Sequence, residues 1–117
     1  MSCQVVIEGL GDEAVRVAVC GEMTGPSAYT VDGQLRRVEA AGPSCIVLDL
    51  SGLDFIDSSG LGRLLAAHKR AMREHRRLVV VEGSRAVRRL IALSALDHRL
   101  ELVSDGRAAD AVVATVS

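Results

Sequence analysis

A chain of 117 residues is one domain's worth, long enough to bury most of its apolar surface without disulfide or metal staples. Its apolar content, 49% of residues, is nearly all aliphatic, and Tyr29 and Phe55 are the only aromatics, which argues against a base-stacking platform for RNA or single-stranded DNA. The formal net charge is −1, yet the charges are segregated: residues 1–57 carry −6, residues 58–90 carry +7 and residues 91–117 carry −2.

Cys3, Cys20 and Cys45 are odd in number and form no C-x-x-C pair, so neither a disulfide framework nor a zinc site is indicated. The first residues lack a basic segment ahead of an apolar core, and no apolar run approaches the length of a membrane span. These features lead us to expect a soluble, reduced, cytoplasmic protein with no membrane partner.

In chain order, Cys3 to Glu8 and Ala14 to Cys20 alternate or run apolar around Gly9-Leu10-Gly11-Asp12, which predicts an antiparallel pair of strands. Gly21 to Ser27 ends the second strand and opens a helix, with Thr24 or Gly25 as N-cap and Pro26 at the first helical position. Ala28, Val31, Leu35 and Val38 give that helix one apolar face, and Gly42-Pro43 stops it. Ser44 to Leu50 is the third strand, followed by a polar turn over Ser51 to Asp57 in which Leu53, Phe55 and Ile56 remain apolar, as though pinned to a core.

A second helix runs from Ser58 to about His75, with Leu61, Leu64, Leu65, His68 and Met72 as its periodic face. Its basic residues, Arg63, Lys69, Arg70, Arg73, Arg76 and Arg77, read as the solvated face of an amphipathic helix. As a nucleic-acid surface they would bind with a steep salt dependence, but without aromatics no direct nucleic-acid contact is expected. Leu78 to Glu82 is a fourth strand, valine-rich as for burial on both faces. A third helix starts at Gly83-Ser84, with Val87, Leu90, Ile91 and Ser94 inward and Arg85, Arg88 and Arg89 outward. Leu100 to Val103 is a short fifth strand, and Asp105 to Val116 a closing helix with Ala109, Val112 and Val113 inward. The order ββαβαβαβα predicts an α/β fold: a central mixed, mostly parallel sheet of about five strands with about four helices, in a single domain over residues 1–117.

The chain is organised around Asp57-Ser58-Ser59-Gly60-Leu61-Gly62, where the third strand gives way to the second helix. Asp57, Ser58 or Ser59 can serve as N-cap. The reciprocal Glu or Gln of a capping box is missing, since Leu61 follows Ser58 and Gly62 follows Ser59 at that spacing. Two glycines in a first helical turn, each costing up to ~1 kcal/mol relative to Ala once interior, suggest that something approaches the backbone there. The block is neither a phosphate-binding loop nor a nucleophile elbow. His68 reads as an edge-of-core residue and His75 and His98 as surface, so no enzyme, metal site or cofactor is indicated.

These residues resemble the STAS domain, specifically the stand-alone anti-sigma factor antagonists of bacteria. The resemblance covers essentially the whole chain. It is strongest in Ile46-Val47-Leu48-Asp49-Leu50 leading into Phe55-Ile56-Asp57-Ser58-Ser59-Gly60-Leu61-Gly62, with support from Gly21-Glu22-Met23 and from Ala86-Val87-Arg88-Arg89-Leu90 with Ser94 and Leu96. It implies a partner switch. The antagonist binds an anti-sigma factor that is also an ATP-using serine kinase, and so frees a sigma factor. Phosphorylation at the Ser after the Asp, here Ser58, ends binding, and a PP2C-type phosphatase reverses it. By the same resemblance Thr24, Asp57, Ser59, Gly60, Leu61, Gly62, Ser84 and Arg85 border the contact surface. The family usually carries Asp after G-E-[LI], whereas this chain has Thr24, followed by Gly25 and Pro26. The alternative is a STAS scaffold subunit of a stressosome-like or membrane lipid-transport complex that works without a phospho-switch.

Overall fold

The computed structural model describes residues 3–106. The first two strands, β1 (Cys3–Gly9) and β2 (Ala14–Met23), pair antiparallel from Cys3 opposite Gly21 to Gly9 opposite Val15. From there helices alternate with strands: α1 (Pro26–Ala40), β3 (Cys45–Ile56), α2 (Ser58–Arg73), β4 (Arg77–Val81), α3 (Arg85–Leu93), a 3-10 turn (Leu96–His98) and β5 (Glu101–Val103). The sheet order is β1-β2-β3-β4-β5, and β2 to β5 are mutually parallel because a helical connection separates each from the next. The expected mixed α/β architecture is the one observed. Three α-helices lie among the described residues, and the closing helix expected over Asp105 to Val116 falls almost wholly outside them.

Strand alternation sorts the core into two faces. Val17, Val19, Ile46, Leu48, Leu50 and Val80 point to the side where the helices contribute Ala28, Val31, Leu35, Val38, Leu64, Ala67, Val87 and Ile91. Their strand neighbours Ala14, Cys45, Val47, Val79 and Val81 form a smaller cluster on the other face. The valines of β4 are therefore buried on both sides, as a central parallel strand requires.

Two element boundaries differ from the sequence expectation. β2 and β3 do not stop at Cys20 and Leu50 but run on together to Met23 and Ile56, with register shifts between Ala18 and Cys20 and between Gly21 and Glu22. The stretch expected as a polar turn is therefore strand, its Leu53 and Ile56 fully buried while Phe55 is 43% exposed. Irregularities of this kind bend a strand and re-aim its side chains, and they commonly border sites.

The apolar face of α2 is also displaced. Gly60, Leu64, Ala67 and Ala71 are buried, Leu61, Leu65 and His68 are partly buried, and Met72 is 65% exposed. Small residues on that face let α2 approach α1 closely enough for a charge network between them. Arg70, only 7% exposed, donates from Nε to Glu39 Oε1 at 2.8 Å and from a terminal nitrogen to Asp32 Oδ1 at 2.8 Å. Burial pulls its guanidinium toward the neutral form, but the hydrogen bonds and charges of Glu39 and Asp32 outweigh that and hold its pKa above the usual arginine value. Arg76 reaches back to the Pro43 and Glu39 carbonyls at 2.8 and 3.0 Å. Part of the expected solvated basic face is thus spent joining helices.

Removing one partner of such a network strands the others. Arg70→Ala should lower unfolding free energy by ~3–5 kcal/mol, because Asp32 and Glu39 lose their buried cation. Urea denaturation checks this, and a loss under 1 kcal/mol would show that the pairs contribute little.

Candidate functional site

Parallel strands connected by helices put every helix N-terminus at the carboxyl edge of the sheet, where α/β proteins form their sites. Here α1, α2 and α3 follow β2, β3 and β4, so Gly25, Asp57 and Ser84 all lie along that edge as N-caps. Of the three N-caps considered for α2, Asp57 is the one used. Its Oδ1 accepts the Gly60 N–H at 3.0 Å, the usual capping bond to the third helical residue. Its Oδ2 accepts the N–H of Gly25 at 3.2 Å, from a residue 32 positions earlier. One carboxylate therefore ties together the starts of α1 and α2.

The loop before α1 is shaped to meet it. Gly25 has φ 48°, a left-handed value that other residues rarely adopt, and as a glycine it brings no side-chain cap of its own. Ser27 supplies the local order instead. Its hydroxyl accepts the Thr24 N–H at 2.9 Å and lies within hydrogen-bonding distance of the Thr24 and Glu22 carbonyls. The Asp57 N–H donates to the Met23 carbonyl at 3.3 Å, which fixes the strand ends beneath.

The two glycines of α2 have different causes. A Cβ on Gly60 would lie 2.4 Å from Ile56 Cγ1 and 2.5 Å from the Met23 carbonyl oxygen, so internal packing excludes any side chain there. A Cβ on Gly62 would meet nothing within 4 Å. The close approach inferred from sequence is therefore that of β2 and β3 at Gly60, and only Gly62 faces open space. Gly60 lies buried below the surface, while Ser58 at the first helical position is exposed and Ser59, Leu61 and Gly62 are partly exposed. Thr24 is partly exposed on the adjoining loop.

The start of α3 borders the same edge. Ser84 Oγ accepts the Val87 N–H at 3.3 Å and sits 3.5 Å from the Asp54 carbonyl, with Arg85 exposed beside it. The residues singled out in sequence thus share one rim, with Gly60 beneath it. Sequence reasoning missed Phe55, assigned to the core although it is 43% exposed, three residues before Ser58. The signal was present in the adjacent apolar pair Phe55-Ile56, whose side chains an extended strand cannot both bury on one face.

Away from this rim, burial pushes the Cys45 thiol up, Arg77 opposing and Glu101 adding, and burial followed by Cys20 does the same for Cys3. The cysteines are free. Among the described residues no helix is long and apolar enough to cross a membrane.

Comparison with known proteins gives a consistent picture. The family model described as Mlab, STAS domain matches residues 8–104. An anti-sigma factor antagonist from Mycobacterium paratuberculosis is 30% identical, with a TM-score of 0.85 over 99% of this chain and 96% of that one. The anti-sigma factor antagonist SpoIIAA in its unphosphorylated form shares the fold at 22% identity, with a TM-score of 0.74 over 95% of this chain and 97% of that one. The phosphorylated form of SpoIIAA, a Bacillus cell fate determinant, shares it at 20% identity, with a TM-score of 0.71 over 93% and 99%.

The contrast between the two glycines is directly measurable. Gly60→Ala should destabilise the fold by about 1–3 kcal/mol through overpacking, whereas Gly62→Ala should be neutral or stabilising by up to ~1 kcal/mol. Thermal or urea unfolding of both variants checks this, and equal effects would contradict the packing account.

Proposed function

This chain belongs to the STAS domain family of anti-sigma factor antagonists, and from that premise we propose that it works as a phosphorylation-controlled partner switch. Its unphosphorylated form binds an anti-sigma factor that is also a serine kinase, and so releases a sigma factor. The kinase then joins the Ser58 hydroxyl oxygen to the γ-phosphorus of ATP, releasing ADP and the hydroxyl proton, and the contact is lost. A PP2C-type phosphatase returns Ser58 to the free hydroxyl by hydrolysis. These steps belong to the cytoplasm, where ATP and the transcription machinery are found.

The observation that carries this reading is the exposed Ser58 hydroxyl on a rim whose backbone is already held by Asp57. A phosphate there adds about −1.5 to −2 charges beside the Asp57 carboxylate. The α2 N-terminus offsets a little of that, ~0.3–1 kcal/mol, and in the free protein water screens the rest. A docked partner removes the water. A penalty of even ~3 kcal/mol in the complex weakens binding more than a hundredfold. Because Asp57 accepts from Gly60 and Gly25 and not from Ser58, the modification leaves the cap in place. Thr24, at the position where the family usually has Asp, adds no carboxylate to this rim, so Asp57 beside Ser58 in the chain is the acid that carries the repulsion in this reading.

The test is binding of Ser58→Ala and Ser58→Glu to the anti-sigma factor kinase, with and without ATP. Ser58→Ala should bind like the wild type and keep binding after ATP, whereas Ser58→Glu should bind over tenfold more weakly. Release of Ser58→Ala by ATP would remove Ser58 as the switch. Equal affinity of the two variants would favour the scaffold reading, in which no phospho-switch operates.

A further inference from the structure

The chain has one Tyr, one Phe and no Trp. Aromatic rings are the largest apolar groups a fold can bury, yet the core is filled by aliphatic side chains while Tyr29 is 59% exposed and Phe55 43% exposed. Both flank Ser58. Phe55 sits near the end of β3, paired with Glu22 of β2. Tyr29 lies in the first turn of α1, the turn whose Gly25 amide is bound by Asp57.

Tyr29 is also held in place. The Arg63 guanidinium of α2 lies over its ring, 4.9 Å from the centroid, and a terminal nitrogen of Arg63 is 3.7 Å from Asp32 Oδ2. A side chain fixed before binding loses less entropy on binding, and Tyr and Arg are enriched among residues that dominate interface energy. The charges on the two sides differ. On the Tyr29 side the Asp32 carboxylate is shared by Arg36 at 3.2 Å, Arg63 at 3.7 Å and Arg70 at 2.8 Å, while Glu39 is bound by Arg70. That leaves a cationic excess on the α1–α2 surface, to which the exposed Lys69 and Arg73 of α2 add. On the Phe55 side stand the acids Asp54 and Glu22, against the exposed cation Arg85 at the start of α3.

We propose that Tyr29 and Phe55 are the two anchors with which this protein grips its anti-sigma factor, and that the partner's surface offers an apolar pocket for each ring. The pocket for Tyr29 has an acidic rim and the pocket for Phe55 a basic one. This deepens the reading given under Proposed function and rests on it for the partner. The opposite charges on the two sides fix the orientation in which the partner docks on the rim that carries Ser58, where a phosphate is desolvated on binding.

Titration calorimetry against the purified anti-sigma factor kinase of the same organism tests this. Tyr29→Ala and Phe55→Ala should each weaken binding roughly ten- to a hundredfold with an unchanged unfolding midpoint, and Tyr29→Phe should recover most of the loss. If both alanine variants bind like the wild type while Ser58→Glu fails to bind, the anchors are refuted and the switch stands. If Tyr29→Ala and Phe55→Ala are weakened but Ser58→Glu binds like the wild type, the anchors stand and the switch is refuted. A wild-type protein that binds none of that organism's anti-sigma factors overturns both.

Discussion

The rest of the structure depends on the Asp57 carboxylate, which accepts one N–H from its own helix and one from the loop opening another. Neither bond alone is unusual. Together they turn two loop ends, which are otherwise the most mobile parts of an α/β domain, into one rigid corner. The corner has little freedom left. Gly60 lets α2 sit directly on Ile56 and the Met23 carbonyl, and Gly25 takes a backbone conformation that brings its amide to Asp57. Ser58 and Ser59 stand on that corner with the capping done by their neighbour.

A switch that adds charge without unfolding its carrier needs such a base. The α1–α2 contact supplies more of it: Arg70 with Asp32 and Glu39 fixes the two helices relative to each other. Buried pairs of this kind often contribute little net stability, because desolvation offsets the attraction, but they penalise any other arrangement of the helices. The rim formed by α1, α2 and α3 therefore keeps its shape, and the proposed phosphorylation of Ser58 would change only its electrostatic surface.

Much of this was legible in the sequence because it is local. Period-two and period-3.6 patterns marked the strands and helices, Pro26 and Gly42 marked the ends of α1, and Asp57 stood among the cap candidates. What failed was non-local. Ser51 to Ile56 read as a turn because Ser, Gly and Asp are turn residues, whereas pairing with β2 across a register shift makes it strand. Arg70 read as solvated because its own helix gives no sign of a partner. The sign was on α1, where Asp32 and Glu39 sit two turns apart on one face. The two glycines of α2 are indistinguishable by spacing, and only the path of β2 separates the one that packing demands from the one it does not.

The central claim, that the corner holds while the charge above it changes, is tested most directly by amide NMR of the protein phosphorylated on Ser58. The Gly25 and Gly60 N–H groups report on the two bonds to Asp57. The account predicts slow hydrogen exchange at both amides and nearly unchanged shifts with and without the phosphate, while anti-sigma factor binding is lost. Fast exchange or large shifts at either glycine on phosphorylation would mean that the switch works by breaking the corner, and would contradict it.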